Sequence, residues 1–369
     1  MLERIKLENF KCFESQEIPL GSISILTGLN GMGKSTVLQS LLLLRQSAED
    51  ETIKSLKLNG RYIKLGNGQD VLYEKAASDE ITLAFWENGI SHSYSFAYNA
   101  ESAVLLLKDP LDSPPASQDS VLFGNRFLYL SSARIEPQPD YHTIDDPTQL
   151  ENHEFGVNGE FSLQYLAEHS GDPILCTKAI RSSQPGARSN SLIDQLQLWC
   201  NEISPGVSPR VVVDSLRRSV DLTYDYREGN DRSGTYKSVN VGFGITYVLP
   251  VLISLLSSRP GDLILIENPE AHIHPRGQRM LGELLARVAA SGIQVIVETH
   301  SDHILNGLRV AVKQKHIESS NVSIAYFSQS QNNDYAHTVV FPKMFPSGQI
   351  SEWPAGFFDE WENALLDLL

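Results

Sequence analysis

Apolar and polar residues alternate with period two at the start of the chain, give way to an unbroken apolar run, and resume at helical spacing after a glycine-rich turn. Ile5-Lys-Leu-Glu-Asn-Phe10 and Gln16-Glu-Ile-Pro-Leu20 read as strands, and Ser22-Ile-Ser-Ile-Leu-Thr27 as a buried one. Thr36 to Leu44 has the apolar density of a helix. Strand signals return at Tyr62-Ile-Lys-Leu65, at Ile81–Trp86, and at Ser91–Tyr98, which alternates like an exposed antiparallel strand. Lys108–Asp119 is a loop by its Pro, Asp and Ser content, and Phe127–Leu130 is a further strand ending in a polar turn over Ser131–Tyr141.

From about Glu160 to Arg218 the pattern predicts helix, with Leu192, Leu196 and Trp199 on one face. Ser182–Ser191, rich in Ser, Gly and Asn, reads as a mobile connection. After Val241 the alternation of helix and strand returns: an apolar helix beginning near Tyr247, strand Leu263–Ile266, helix Arg276–Ala290 and strand Gln294–Val297. Strand Val322–Phe327 follows, then an aromatic and acidic tail of helical character. No heptad register persists and no internal repeat is found, so a long coiled coil is not expected. The fold class is α/β, divided into an N-terminal lobe with an antiparallel β subdomain over 1–155, a helical/β insert over 156–237, a C-terminal lobe over 238–340 and a tail over 341–369.

Composition narrows the setting. A chain of 369 residues allows one large core or two lobes. The longest apolar run, Ile245–Leu256, is too short to span a bilayer and contains Pro250, so no membrane partner is expected. Met1-Leu-Glu-Arg-Ile-Lys6 carries charge where a secretory signal needs an apolar stretch. Cys12, Cys176 and Cys200 are widely spaced, with neither metal-ligand nor disulfide patterning, which fits a reducing cytoplasm. The formal charge of −15 disfavours sequence-independent coating of nucleic acid, and the sparse Arg210, Arg217-Arg218, Arg181 and Arg188 read as solvated surface charge.

Candidate chemistry concentrates in three places. Gly28-Leu-Asn30-Gly31-Met-Gly33-Lys34-Ser35-Thr36 has the G-x-x-x-x-G-K-S/T spacing of a phosphate-binding loop, set between a strand and a helix. Its backbone N–H groups would cradle a nucleoside triphosphate, Lys34 would reach the β- and γ-phosphates, and Ser35 would ligate Mg²⁺, with the helix N-terminus adding its dipole. Leu263-Ile-Leu-Ile-Glu267 is an apolar strand ending in a carboxylate that can hold Mg²⁺ through water, the Walker B pattern. Gln294-Val-Ile-Val-Glu-Thr-His300 places a histidine past a second buried strand, where a neutral imidazole can hydrogen-bond the γ-phosphate or its attacking water, whereas His272 and His274 read as structural. Gly242-Phe-Gly244, before the apolar helix, is either a second anion-binding nest or a simple helix-start turn.

Taken in order, these segments resemble the ABC-type ATPase head of the SMC, RecF and OLD group, and more narrowly a set of bacterial AAA-family ATPases found in phage-defence loci. The resemblance rests on Ile5–Phe13, the Asn30-Gly-x-Gly-Lys-Ser-Thr36 loop, Tyr129–Pro137, Gly156–Glu160, Val241–Pro250, Ile266–Pro275, Glu298–His303 and Gly348–Asp359. It implies a P-loop NTPase with ATP and Mg²⁺ as cofactors, Ser35 and Glu267 at the metal, and Gly242 and Gly244 in a signature region that meets the nucleotide of a second copy. His272–Pro275 would then form a D-loop and His300 the switch. Two positions depart from the pattern. Asn268 stands where most ABC ATPases carry the glutamate that orients water, which implies slow turnover or a stable ATP-bound dimer unless Glu270 substitutes. Thr246-Tyr247 stands where relatives often carry Ser-Gln.

OLD- and Gabija-type nucleases carry a TOPRIM domain after the ATPase, and the 69 residues after His300 are too few for one. The expectation is a cytoplasmic ATPase that dimerises on ATP and regulates a separately encoded effector, of HNH type or another nuclease, in bacterial anti-phage defence, meeting nucleic acid through that complex. The alternative is a RecF- or SMC-like repair or chromosome-maintenance ATPase that binds DNA directly. A transporter subunit is a third reading, disfavoured by the OLD-like tail.

Overall fold

The computed structural model describes residues 1–110, 114–144, 150, 155–181, 189–228, 231–329, 337–354, 365 and 368. Most of the Ser182–Ser191 stretch and the part of the tail over 355–364 therefore lie outside the described residues. The chain opens with β1 (Leu2–Phe10), β2 (Phe13–Pro19), β3 (Ile23–Gly28) and α1 (Lys34–Ser47). Next come β4 (Ala48–Glu49), β5 (Thr52–Ile53), β6 (Ser55–Lys57), β7 (Glu80–Glu87), β8 (Ile90–Ala97), β9 (Val104–Leu106), β10 (Phe127–Leu130) and β11 (Tyr141–His142). The middle holds α2 (Ser162–Glu168), α3 (Leu192–Ile203), β12 (Val207–Asp214), β13 (Ser219–Glu228) and β14 (Asp231–Lys237). It leads to α4 (Phe243–Ser257), β15 (Leu263–Glu267), α5 (Pro275–Ala289), β16 (Gln294–Glu298), α6 (Asp302–Lys313), β17 (Val322–Gln329) and β18 (His337–Val340). No helix among the described residues is long and apolar enough to cross a membrane.

These elements form two units, residues 1–127 with 319–345 and 349–369, and residues 128–318 with 346–348. In the first, period-two alternation builds the antiparallel sheet β2-β1-β7-β8, with Ile5 opposite Ile18 and Leu7 opposite Leu83. β3, apolar without alternation, runs parallel to β17 with Ile25 opposite Ile324, and β18 returns antiparallel. A strand buried on both faces needs this continuous pattern. Val37, Leu38 and Leu41–Leu44 of α1 are all buried, because the helix packs on β1, β3 and β6 rather than on one surface. Tyr62–Leu65 is not the strand its pattern predicts. The Tyr62 and Ile63 amides donate to the Gln46 side chain at 3.3 and 3.2 Å, which leaves only an isolated bridge at Lys64.

In the second unit β15 and β16 pair in parallel, Leu263 opposite Gln294 through Glu267 opposite Glu298, joined by α5, with β10 on the other side of β15. α4 starts at Phe243, four residues earlier than the periodicity suggests, because Gly242 turns the chain into the helix before the apolar run begins. Pro250 sits inside α4 and packs against Gly159, where a Cβ would come within 2.5 Å of it. The predicted helical stretch ends at Ile203. Residues 207–237 are instead the strands β12, β13 and β14, since Val207, Val211, Val212 and Val213 suit a pleated surface better than a helix. The predicted face of α3 is real, with Leu192, Leu196 and Trp199 buried.

α5 and α6 flank the β15–β16 pair and touch backbone to backbone. A Cβ at Gly307 would lie 2.2 Å from the Arg279 carbonyl, and one at Gly282 would lie 2.3 Å from that of Ile304. Gly307→Ala is expected to destabilise the protein by about 1–3 kcal/mol through forced separation of the helices, read as a lower Tm; an unchanged Tm would show that the helices separate freely.

Candidate functional site

In the first unit the Gly28–Thr36 loop is shaped by glycines in the left-handed half of φ: Gly28 at 135°, Gly31 at 76° and Gly33 at 99°. Gly28 is required twice over, since a Cβ there would sit 2.0 Å from the Phe327 carbonyl. Gly33 caps α1 and abuts Cys12 and Phe13. Gly31 has nothing within 4 Å of the Cβ position, so its side of the loop is open. Asn30 and Gly31 are exposed, Ser35 is half-buried, and Lys34 and Thr36 are buried. Lys34 Nζ donates to the carbonyls of Gly28 and Leu29 at 3.0 and 2.6 Å, so the ammonium lies along the inside of the loop. Successive positive-φ residues ahead of a fourteen-residue helix make an anion nest, and this chemistry fits a polyphosphate.

A cavity of about 420 Å³ opens beside the β1–β2 turn, lined in part by Lys11, Phe13, Tyr73 and His337. Cys12 and Phe13 connect it to the loop at Gly33. Lys11 donates to Gln39 of α1 at 2.7 Å, and burial pulls its pKa down.

In the second unit Glu267 ends β15 and both of its carboxylate oxygens are held: Tyr129 donates to Oε1 at 2.8 Å and the Ser132 amide to Oε2 at 3.2 Å. Each oxygen keeps a further lone pair, which suits a carboxylate that meets a metal through water. Asn268 follows in left-handed conformation, φ 42°, its amide donating to the Glu298 carbonyl at 2.8 Å. Its Oδ1 is buried with no hydrogen-bond partner among the described residues. Glu270 is buried; Oε1 accepts from the His300 amide at 2.8 Å, while Oε2 is buried with no hydrogen-bond partner among the described residues. Burial pushes the Glu270 pKa up, opposed by that amide. Glu267, Asn268, Glu270 and His300 are thus brought together around the ends of β15 and β16, with His300 exposed.

Gly242 and Gly244 lie at the start of α4, Gly242 exposed. A Cβ on Gly244 would meet the His272 carbonyl at 2.0 Å, so this glycine lets the helix start pack on the loop after Glu270. His272 stands edge-on to Phe243 and Tyr247, with ring centroids 4.7 and 5.1 Å away. His274 accepts the Arg276 amide at 3.3 Å as the cap of α5. The Gly242 turn, Tyr226 and His272 border a cavity of about 230 Å³.

Tyr129, Ser132 and Arg134 are not among the candidates read from the sequence. Arg134 is 4% exposed and forks onto the carbonyls of Glu267, at 3.1 and 2.6 Å, and Asn268, at 3.4 and 2.5 Å. Burial draws its pKa down to about 10, so it remains a cation at neutral pH. The sequence signal was the Tyr129–Pro137 segment of the resemblance, in which Arg134 is the one basic residue of a turn that also carries Glu136.

Residues 23–306 match a family profile described as "AAA domain, putative AbiEii toxin, Type IV TA system". The chain belongs to this AAA family. Residues 317–368 match a second profile, a protein of unknown function designated DUF3696. Among characterised relatives, the OLD nuclease of Thermus scotoductus is 24% identical over 341 residues, covering 82% of this chain and 59% of that protein. The Old nuclease of Escherichia phage P2 is 27% identical over 128 residues, 34% of this chain and 22% of that one. The chain therefore spans less than two thirds of either relative. Its fold is that of SMC heads. One bound to the C-winged helix domain of ScpA has a TM-score of 0.55 at 14% identity, covering 93% of this chain and 98% of that one. One with an extended coiled coil, bound to the C-terminal domain of ScpA from Pyrococcus furiosus, has a TM-score of 0.52 at 13% identity, covering 100% and 99%. The family match, the OLD relative and the head-like fold agree with the resemblance to ABC-type ATPase heads of the SMC and OLD group.

A buried carboxylate with a raised folded-state pKa weakens folding above the ordinary carboxylate range, and the penalty is relieved as pH falls. Glu270→Gln is therefore expected to raise Tm at pH 7 and to leave it nearly unchanged at pH 4; a lower Tm at pH 7 would show that the His300 contact outweighs burial.

Proposed function

We propose that this AAA protein binds ATP with Mg²⁺ in the Gly28–Thr36 loop, pairs with a second copy around the nucleotide, and hydrolyses it slowly to control a separately encoded effector in anti-phage defence. The observation that carries the reading is the loop itself, with its left-handed glycines and Lys34 drawn along its inner carbonyls. Asn30, Gly31, Gly33, Lys34, Ser35 and Thr36 hold the phosphates. The 420 Å³ cavity beside Phe13 takes the rest of the nucleotide. Ser35 would be a ligand of Mg²⁺, which would offset charge on the phosphates, and Glu267 is the carboxylate that would meet a metal through water.

Asn268 is neutral and cannot accept the proton of the attacking water. Glu270 carries a carboxylate that can: one oxygen is anchored by the His300 amide, and the other has no hydrogen-bond partner among the described residues. His300 orients the γ-phosphate end. The Gly242–Gly244 turn, exposed at the start of α4, meets the nucleotide held by the second copy. The effector assignment is supported by the OLD relatives, which are nucleases, whereas the AAA match occupies residues 23–306 here. SMC heads are solved with ScpA domains bound, a precedent for a head that docks a second protein.

Light scattering with and without ATP·Mg²⁺ tests the assembly. The wild type is expected to dimerise and gain thermal stability by mass action, and Lys34→Ala to do neither. A monomer that ignores both nucleotide and substitution would overturn the reading. Salt-sensitive duplex binding that requires ATP but no effector would transfer it to a DNA-maintenance ATPase.

Turnover tests the base. Glu270→Gln is expected to lower kcat by about 100-fold or more, with KM little changed. The carboxylate form of Glu270 is needed, and burial raises its pKa. The acid limb of wild-type activity should therefore lie above the ordinary carboxylate range and vanish in the variant. Faster hydrolysis by Asn268→Glu, with Glu270→Gln unchanged, would assign the limitation to position 268 instead.

A further inference from the structure

In an extended strand consecutive backbone groups point to opposite sides. The left-handed turn at Asn268 swings its carbonyl toward that of Glu267, and the Arg134 guanidinium takes both. Two parallel carbonyl dipoles repel, and a forked cation removes the repulsion. The other face of Arg134 lies on the Tyr247 ring, its Cζ 4.7 Å from the centroid. Tyr247 belongs to the second turn of α4, and its hydroxyl donates to the Ser132 carbonyl. The amide of the same Ser132 residue holds Glu267 Oε2 at 3.2 Å. Phe243, 37% exposed beside Gly242, packs tilted against Tyr247 and edge-on to His272. Continuous contact thus runs from the exposed start of α4, through Tyr247, to Arg134 and Ser132, and from there to the side chain of Glu267 and the backbone of Asn268.

We propose that Arg134 is the positioning residue of the hydrolytic group: it fixes the Glu267–Asn268 peptide and, through Tyr247, makes that group respond to what the start of α4 contacts. This rests on the reading of Glu267–Glu270 as the hydrolytic group. Displacing Phe243 and Tyr247 by a contact at Gly242 would shift the ring under Arg134 and the Ser132 peptide together, moving the Glu267 carboxylate and the Asn268 turn. The site would therefore be set for hydrolysis only when α4 is engaged.

Arg134→Lys keeps the charge and removes the fork. Hydrogen exchange, measured on the full-length protein without nucleotide, should accelerate about tenfold or more across 266–273, as expected for loss of charge-assisted hydrogen bonds. β16 and α5 should keep wild-type protection. kcat should fall about 100-fold, with KM for ATP within about threefold. Tyr247→Phe, a milder change, should accelerate the same segment less, and the double variant should fall short of the sum of the two. Unchanged exchange at 266–273 in both variants would overturn the proposal, as would a loss of KM and kcat in proportion to a general loss of protection. If Glu267→Gln and Glu270→Gln leave hydrolysis intact, the hydrolytic reading fails, while the exchange result still decides whether Arg134 holds this turn.

Discussion

A guanidinium with 4% of its surface in solvent must have its charge answered inside the protein, and Arg134 makes its hydrogen bonds to backbone carbonyls, with the Glu267 and Glu270 carboxylates adding favourable charge nearby. Carbonyls can serve only if the chain presents two of them together, which requires the non-extended backbone at Asn268. Once that turn is made, Glu270 is delivered to the His300 amide and the His272 loop to the start of α4. Removing a partner from a buried charge costs several kcal/mol, so the arrangement is held as a unit. β10's polar turn, β15 and α4 all meet at this cation.

Glycine supplies a second constraint, and it acts through contact more than through freedom. Gly28 and Gly244 each bring a backbone carbonyl to where a side chain would stand, from Phe327 and His272 respectively. Gly31 is the contrasting case, with a positive φ and open space beyond it. In the phosphate loop both kinds occur: Gly28 presses the loop onto its sheet, and Gly31 leaves its side of the loop open. At the start of α4, Gly244 is of the pressing kind, while Gly242 has an ordinary φ of −55° with open space beyond it.

The elements legible in the sequence are those whose cause is local. β1, β2, β3, α1, β15 and β16 follow from period and run length, and the loop at Gly28 from its spacing. Tyr62–Leu65 fails because its amides are taken by Gln46, sixteen and seventeen positions away, which no local pattern records. The stretch over 207–218 fails because a valine-rich run satisfies helical and strand templates alike, and pairing with β13 decides. Glu267, Glu270 and His300 could be named because acids and histidines past buried strands are rare and conspicuous. Arg134 could not, since its partners are backbone atoms more than a hundred residues on, and a carbonyl has no sequence signature.

Asn268 joins the two scales. As chemistry it is a deficit, a neutral group where a base is useful. As backbone it is well chosen, because asparagine tolerates the left-handed region better than any other side chain of its size, and φ there is 42°. A glutamate at 268 would bring a base at the expense of the turn on which Arg134 closes. Placing the acid at 270 separates the two demands: Asn268 shapes the chain, and Glu270 is carried into a buried position whose raised pKa brings its protonation closer to neutral pH. The same burial that weakens folding is what raises that pKa.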